Sequence, residues 1–167
     1  MSAVPPVIAL VGPHNSGKTG LLYRLVERAA AAGIRVGVLK CAARPLQFES
    51  AGKDSARLAD ADAVRVVTAG PGRMMMMEHS STRPSVRALS RRFGRDLDLW
   101  LVESYAPESV PWVRVARAGQ QVPALDEDCV ATIGVRGGSL PHFRLDRPAA
   151  LWRFVVERME VAAPDAG

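Results

Sequence analysis

Val7-Ile8-Ala9-Leu10-Val11, then Gly12-Pro13-His14-Asn15-Ser16-Gly17-Lys18-Thr19, then Gly20-Leu21-Leu22-Tyr23-Arg24-Leu25-Val26: this stretch decides the fold. The octapeptide satisfies G-x-x-x-x-G-K-[ST], with an apolar run before it and helix-compatible spacing after it. Strand, glycine loop and helix form the context in which this pattern reads as a phosphate-binding loop. The chemistry is anion binding, because backbone N–H groups of such a loop and of the helix start converge on one small volume. Gly12 and Gly17 permit backbone angles and close approaches that a side chain would block. Residues 12–20 are therefore the expected nucleotide-binding set. Lys18 is expected to reach the β- and γ-phosphates and the Thr19 hydroxyl to ligate Mg²⁺. His14 contributes backbone rather than imidazole chemistry at its position.

Working outward, Val7 to Val11 reads as a strand buried on both faces. Leu21, Leu22, Leu25, Val26 and Ala29 share one helical face that runs to a stop at Gly33. Ile34 to Leu39 reads as the second strand, completing a βαβ unit. A polar connection from Lys40 to Lys53 follows, with Asp54 or Ser55 expected to cap a short helix over 56–61. Val64 to Ala69 and the run Met74-Met75-Met76-Met77 read as strands, the latter buried on both faces in preference to a soft, adaptable contact surface. A helix is expected over 83–93, capped by Thr82, and then a strong strand over Leu97 to Val102. Strands over 111–116 and 129–135 and a final helix capped by Asp146 complete the pattern. This is an α/β chain: a P-loop NTPase fold with a mostly parallel twisted sheet flanked by helices and a small strand-rich insertion. Residues 1–161 are expected to form one domain and 162–167 a flexible tail.

A phosphate loop works with an acidic residue at the end of a neighbouring buried strand. Glu103 is the candidate, since it ends Leu97-Asp98-Leu99-Trp100-Leu101-Val102, and a charge there calls for a cation. It is expected to join Thr19 at the metal. Asp96 and Asp98 stand near the wrong end of that strand. Asp54 is the second acidic candidate, with catalytic and plain helix-capping roles both open.

Composition narrows the partners. The 167 residues are 48% hydrophobic and 23% charged, with a formal charge of +5. No apolar run approaches the ~20 residues that span a bilayer, so no membrane partner is expected. The start of the chain lacks a basic segment ahead of an apolar one, and a cytoplasmic location is expected. The densest basic cluster, Arg87, Arg91, Arg92 and Arg95, holds a single aromatic, Phe93, too few for a platform on which bases stack, so no nucleic-acid partner is expected. Nor does it follow a predicted helix as the lid of a small-molecule kinase would, which leaves that reading third. The two cysteines, Cys41 and Cys129, form no C-x-x-C motif. Cys41 is expected to be partly exposed beside the loop. Neither Lys18, Lys40 nor Lys53 is followed two places on by the aspartate of a guanine-reading Asn/Thr-Lys-x-Asp element. The residues leave GTP against ATP open.

Four motifs occur in order: Gly-Pro-His-Asn-Ser-Gly-Lys-Thr at 12–19, Gly-Ile-Arg-Val-Gly-Val-Leu-Lys at 33–40, Gly-Lys-Asp-Ser at 52–55 and Asp-Leu-Asp-Leu-Trp-Leu-Val-Glu at 96–103. Together they resemble the molybdopterin-guanine dinucleotide biosynthesis protein B (MobB) family over nearly the whole chain. The resemblance implies a GTP-binding protein with weak Mg²⁺-dependent hydrolysis. It would assist attachment of GMP to molybdopterin, beside the molybdopterin guanylyltransferase that performs it, as a homodimer built through the strand-rich insertion. Three places depart from the family pattern: Lys40-Cys41 in place of Lys-His, Glu103-Ser104-Tyr105-Ala106 in place of Glu-Gly-Phe/Tyr-Lys, and Val135-Arg136-Gly137-Gly138 in place of a Thr/Ser-Asp pair. An alternative reading is a nucleotide-binding adaptor or switch with negligible hydrolysis and another partner.

Overall fold

The computed structural model describes residues 4–42, 53–61, 63–104 and 106–162. The chain divides into two compact units, one of residues 1–43 and 85–167, the other of residues 44–84.

The first unit holds β1 (Val7–Val11), α1 (Lys18–Ala31) and β2 (Val36–Lys40) before the second unit departs. The second unit supplies α2 (Lys53–Asp60), β3 (Arg65–Gly70) and β4 (Arg73–Glu78). The first then resumes with α3 (Val86–Phe93), β5 (Leu99–Ser104), β6 (Trp112–Ala116), β7 (Cys129–Gly134), β8 (His142–Phe143) and α4 (Pro148–Ala162). Six strands form one sheet in the order β2-β5-β1-β6-β7-β8, and every pairing in it is parallel. With β1 central and strands added on both sides, its C-terminal end is where an open α/β sheet forms its ligand crevice. This is the P-loop NTPase-like architecture.

The two-residue alternation of a strand sorts the core into two halves. Ile8 and Leu10 of β1, Leu99 and Leu101 of β5, and Val113 and Val115 of β6 meet Leu21 and Leu25 of α1 and Leu151 and Val155 of α4. Ala9, Val11, Val102 and Trp112 meet Val86 of α3 on the other face. Side chains buried on both faces are why these strands read as continuous apolar runs.

Several boundaries differ from the sequence reading. The helix after the insertion starts at Val86, not near 83: Ser85 is extended and its hydroxyl accepts from the Ala88 N–H, so Ser85 and not Thr82 is the cap. Pro84 disfavours helix in the residue before it, which keeps the preceding turn open. Asp54 and Ser55 lie inside the first turn of α2 rather than ahead of it. Asp146 pairs with Arg144 at 2.8 Å, two residues before α4 begins. Gly52 and the connection over 43–52 lie outside the described residues, as do Tyr105 and the tail from 163.

In the second unit β3 and β4 form an antiparallel hairpin, Val67 opposite Met76 and Ala69 opposite Met74. The Ser55 hydroxyl of α2 meets the Thr68 hydroxyl at 3.0 Å, so α2 covers the face carrying Thr68 and Met77. Met77 is buried, whereas Met74 is 73% exposed. The methionine run is thus a strand, as expected, but it is not buried on both faces.

Candidate functional site

Gly12 leaves β1 where the chain must bend against its neighbour. A Cβ there would stand 1.9 Å from the Val115 carbonyl oxygen, so only glycine passes β6 at this point. Asn15 (φ 57°) and Gly17 (φ 99°) turn the loop through the left-handed region, which glycine adopts without strain and asparagine more readily than most residues. Gly17 is also the N-cap of α1. No side chain fills that cap, and the first turn of α1 holds no acidic residue. The first N–H groups of any helix lack intrahelical acceptors, so this helix start is left for an external anion.

Lys18 is buried and folds back over the loop. Its ammonium donates to the Gly12 carbonyl at 2.9 Å, the Pro13 carbonyl at 2.6 Å and the Ser16 hydroxyl at 3.4 Å. Burial lowers its pKa; the Glu103 charge opposes that shift and Lys40 adds to it. Partial charges of carbonyls are a poor match for a buried ammonium, so an anion in the loop would find a cation already in place.

Glu103 is brought to the loop by strand parity. It follows Leu99 and Leu101 on the α1 face of β5 and pairs in register with Leu10 and Lys40. The Thr19 hydroxyl, in the first turn of α1, donates to both carboxylate oxygens at 3.0 Å. Lys40 Nζ stands 3.7 Å from the same carboxylate, whose side chain is 12% exposed. A hydroxyl and a carboxylate thus meet beside the buried ammonium, a hard-oxygen pair of the kind that holds Mg²⁺ together with phosphates. Among the described residues no group of three His, Cys, Asp or Glu side chains gathers elsewhere to hold a metal ion.

The expected residues do not all converge. Gly12, Pro13, Ser16, Gly17, Lys18, Thr19 and Glu103 form one constellation. His14 and Asn15 are exposed at the loop tip, and Gly20 has open space around it. Asp54 belongs to α2 in the second unit, and its side chain lies outside those described. Cys41 is half-buried, its N–H donating to the Glu103 carbonyl at 2.8 Å, in line with its expected place at this rim.

Sequence reasoning missed the grip on the loop tip. Gln120 Nε2 donates to the His14 carbonyl at 2.9 Å while its Oε1 accepts from the Arg117 N–H at 2.9 Å. A glutamine 106 positions away in a polar connection carries no local signal. Arg114, buried on the α3 face of β6, was missed as well; it donates to the Val135 and Arg136 carbonyls at 3.4 and 2.9 Å and so holds the turn after β7.

Comparison with known proteins now gives this constellation a lineage. The family model "Molybdopterin guanine dinucleotide synthesis protein B" matches residues 7–135, from the first residue of β1 to just past β7. A molybdopterin-guanine dinucleotide biosynthesis adapter protein from Haemophilus influenzae is 33% identical over 129 residues, covering 75% of this chain and 72% of that one. The Escherichia coli protein of the same name is 30% identical over 117 residues, covering 68% and 67%. The crystal structure of Bacillus subtilis MobB superposes with a TM-score of 0.73 at 21% identity, over 92% of this chain and 97% of that one. A MobB homologue from Bacillus stearothermophilus gives a TM-score of 0.67 at 22% identity, over 93% and 98%. At these identities the structures establish a shared fold, and the sequence matches establish descent. The chain belongs to the MobB family of molybdopterin-guanine dinucleotide biosynthesis adapter proteins.

Proposed function

We propose that this chain is a Mg²⁺-dependent, GTP-binding adapter that assists the attachment of GMP to molybdopterin. The observation that carries the reading is the meeting of Lys18, Thr19 and Glu103 at an N-cap that no side chain fills. The backbone of residues 12–20 would hold the phosphates, with Lys18 between β and γ. Thr19 and Glu103 would hold Mg²⁺, which would neutralise phosphate charge. Their present hydrogen bond supports the assignment, because it sets two hard-oxygen donors side by side before any ion arrives. Lys40, paired with Glu103, would balance the carboxylate until then. Guanine is preferred over adenine on family membership, and ATP is the competitor to test.

The named relatives are adapter proteins, which supports a partner enzyme in the pathway, proposed here to be the molybdopterin guanylyltransferase. Among the described residues Glu103 is the only carboxylate bonded to the loop or the helix start, and it serves Thr19 and Lys40. This favours slow hydrolysis, with nucleotide state regulating the partner contact. A role for Asp54 in catalysis belongs to the same proposal. No helix among the described residues is long and apolar enough to cross a membrane, and the cytoplasm is the proposed location.

Calorimetric titration with GTP and ATP, with and without Mg²⁺, tests the reading. GTP should bind more tightly with Mg²⁺, and Lys18→Ala should weaken it by roughly a hundredfold, about 2.7 kcal/mol. Folded protein that binds neither nucleotide would sink the proposal. Single-turnover hydrolysis unaffected by Lys18→Ala would remove this site from any catalytic role.

A further inference from the structure

A cavity of about 590 Å³ opens at the N-terminal ends of β1 and β6, the rim of the sheet opposite the phosphate loop. Pro5, Ile8 and Val110 supply apolar wall, and Arg87 and Arg91 of α3 and Arg158 of α4 also line it.

Two independent observations point to a ligand. Ser90 lines the cavity and is 1% exposed, yet its hydroxyl has no hydrogen-bond partner. The buried indole Nε1 of Trp100 has none either. Gly94 draws these residues to one corner: a Cβ there would meet the Ser90 carbonyl oxygen at 2.4 Å, Trp100 Nε1 at 2.7 Å and Pro5 Cγ at 2.8 Å. Buried polar groups of native proteins are nearly always paired, so each exception calls for an explanation. The second observation is charge. Among the described residues no carboxylate pairs with Arg87, Arg91 or Arg158. Arg87 Nε donates to the Ser109 carbonyl at 3.1 Å, and the Arg158 guanidinium stacks 5.1 Å from the Phe154 ring centroid. Both contacts orient a cation without neutralising it.

We propose that this cavity binds a small amphipathic organic anion, its apolar body against Ile8 and Val110 and its acidic group among the three arginines, with Ser90 hydrogen-bonding its polar edge. The volume falls within the roughly 300–1,000 Å³ of small-molecule sites. It is a pocket rather than the face of about 800 Å² that a protein partner needs. The five residues of β1 separate it from the phosphate loop by roughly 17 Å, so its occupancy does not depend on the nucleotide reading.

The test uses the full chain and two probes with the same body, anionic 8-anilino-1-naphthalenesulfonate and neutral N-phenyl-1-naphthylamine. Saturable one-to-one binding of the anion is expected, with methyl shifts at Ile8 and Val110 and not at Leu145 beside Gly17. Arg91→Glu with Arg158→Glu should weaken the anion about tenfold and the neutral probe less than about twofold. Ser90→Ala should weaken the anion about threefold, and Arg28→Glu on α1 should leave it unchanged. Should the charge reversals unfold the chain by circular dichroism, Arg91→Gln replaces them with the same expected direction. Absence of saturable binding, equal losses for the two probes, an equal loss in the Arg28 variant, or displacement of the probe by Mg²⁺–nucleotide would each overturn the proposal.

Discussion

Gly12 shows what a single residue contributes when a backbone must pass another. The Val115 carbonyl that a Cβ would strike belongs to the sheet, so neither side can give way cheaply. Gly12→Ala is expected to lower stability by about 1–3 kcal/mol, read from the midpoint of urea unfolding at unchanged m-value; an unchanged midpoint would contradict the contact. Asp98 tests a charge. Its carboxylate accepts two hydrogen bonds from the Arg35 side chain and one from the Arg35 backbone N–H, which hold its pKa at about 2, below the 3.8 of a free aspartate. A depressed folded pKa gives stability that is complete above the unfolded value and is lost as pH falls toward the folded one. The stability difference between wild type and Asp98→Asn should therefore be constant above about pH 5 and shrink as pH falls through about 2. A difference that stays undiminished from about pH 5 to about pH 2 would show the ion pair to be unimportant. Both partners are largely solvated, so the effect is small.

Among the elements, the helices show where periodicity informs and where it misleads. In α4 the helical spacing of apolar residues informs, with Leu151 and Val155 buried in the sheet core. In α3 the face that Val86, Leu89 and Phe93 share by helical spacing is not the buried one: Phe93 is 40% exposed, and the buried partner of Val86 one turn on is Ser90. The apolar residues were legible, but a serine with an unpaired hydroxyl facing inward was not, because polarity argues against burial unless a cavity or ligand stands beside it. Glu103 was placed correctly at the rim from the strand alone. Its meeting with Thr19 was expected through a shared metal ion, but the pairing with Lys40 was not legible, since Lys40 reaches it only through the parallel register of β2 with β5. The connection after β6 carries a further expectation. Gln120→Ala removes the donor to the His14 carbonyl and should weaken nucleotide binding by roughly three- to tenfold, near 1 kcal/mol. Faster amide exchange over residues 12–17 should accompany it. Unchanged affinity and exchange would show that the loop holds its shape without this bond.

The chain as a whole has two compact units, and the second has an exposed hairpin face that would suit the homodimer implied by the family resemblance. Val67, Ala69, Met74 and Met76 share the hairpin face opposite the one α2 covers, and Val67 and Met74 are 52% and 73% exposed. Val67→Lys with Met74→Lys should convert a dimer to a monomer in light scattering while nucleotide affinity stays within about twofold. A wild type that is monomeric at every concentration would rule this dimer out. The sequence by itself determined the phosphate loop, the strand and helix around it and the alternation of apolar faces. Each of these is set by hydrogen bonds or side-chain periods that span a few neighbouring residues. Only the tertiary structure decided that β5 inserts between β1 and β2, that Glu103 pairs with Lys40, that Gln120 grips the loop, and that a cavity lies at the N-terminal end of β1. Those features join residues tens of positions apart, where strand register and packing, rather than local preference, choose the neighbours.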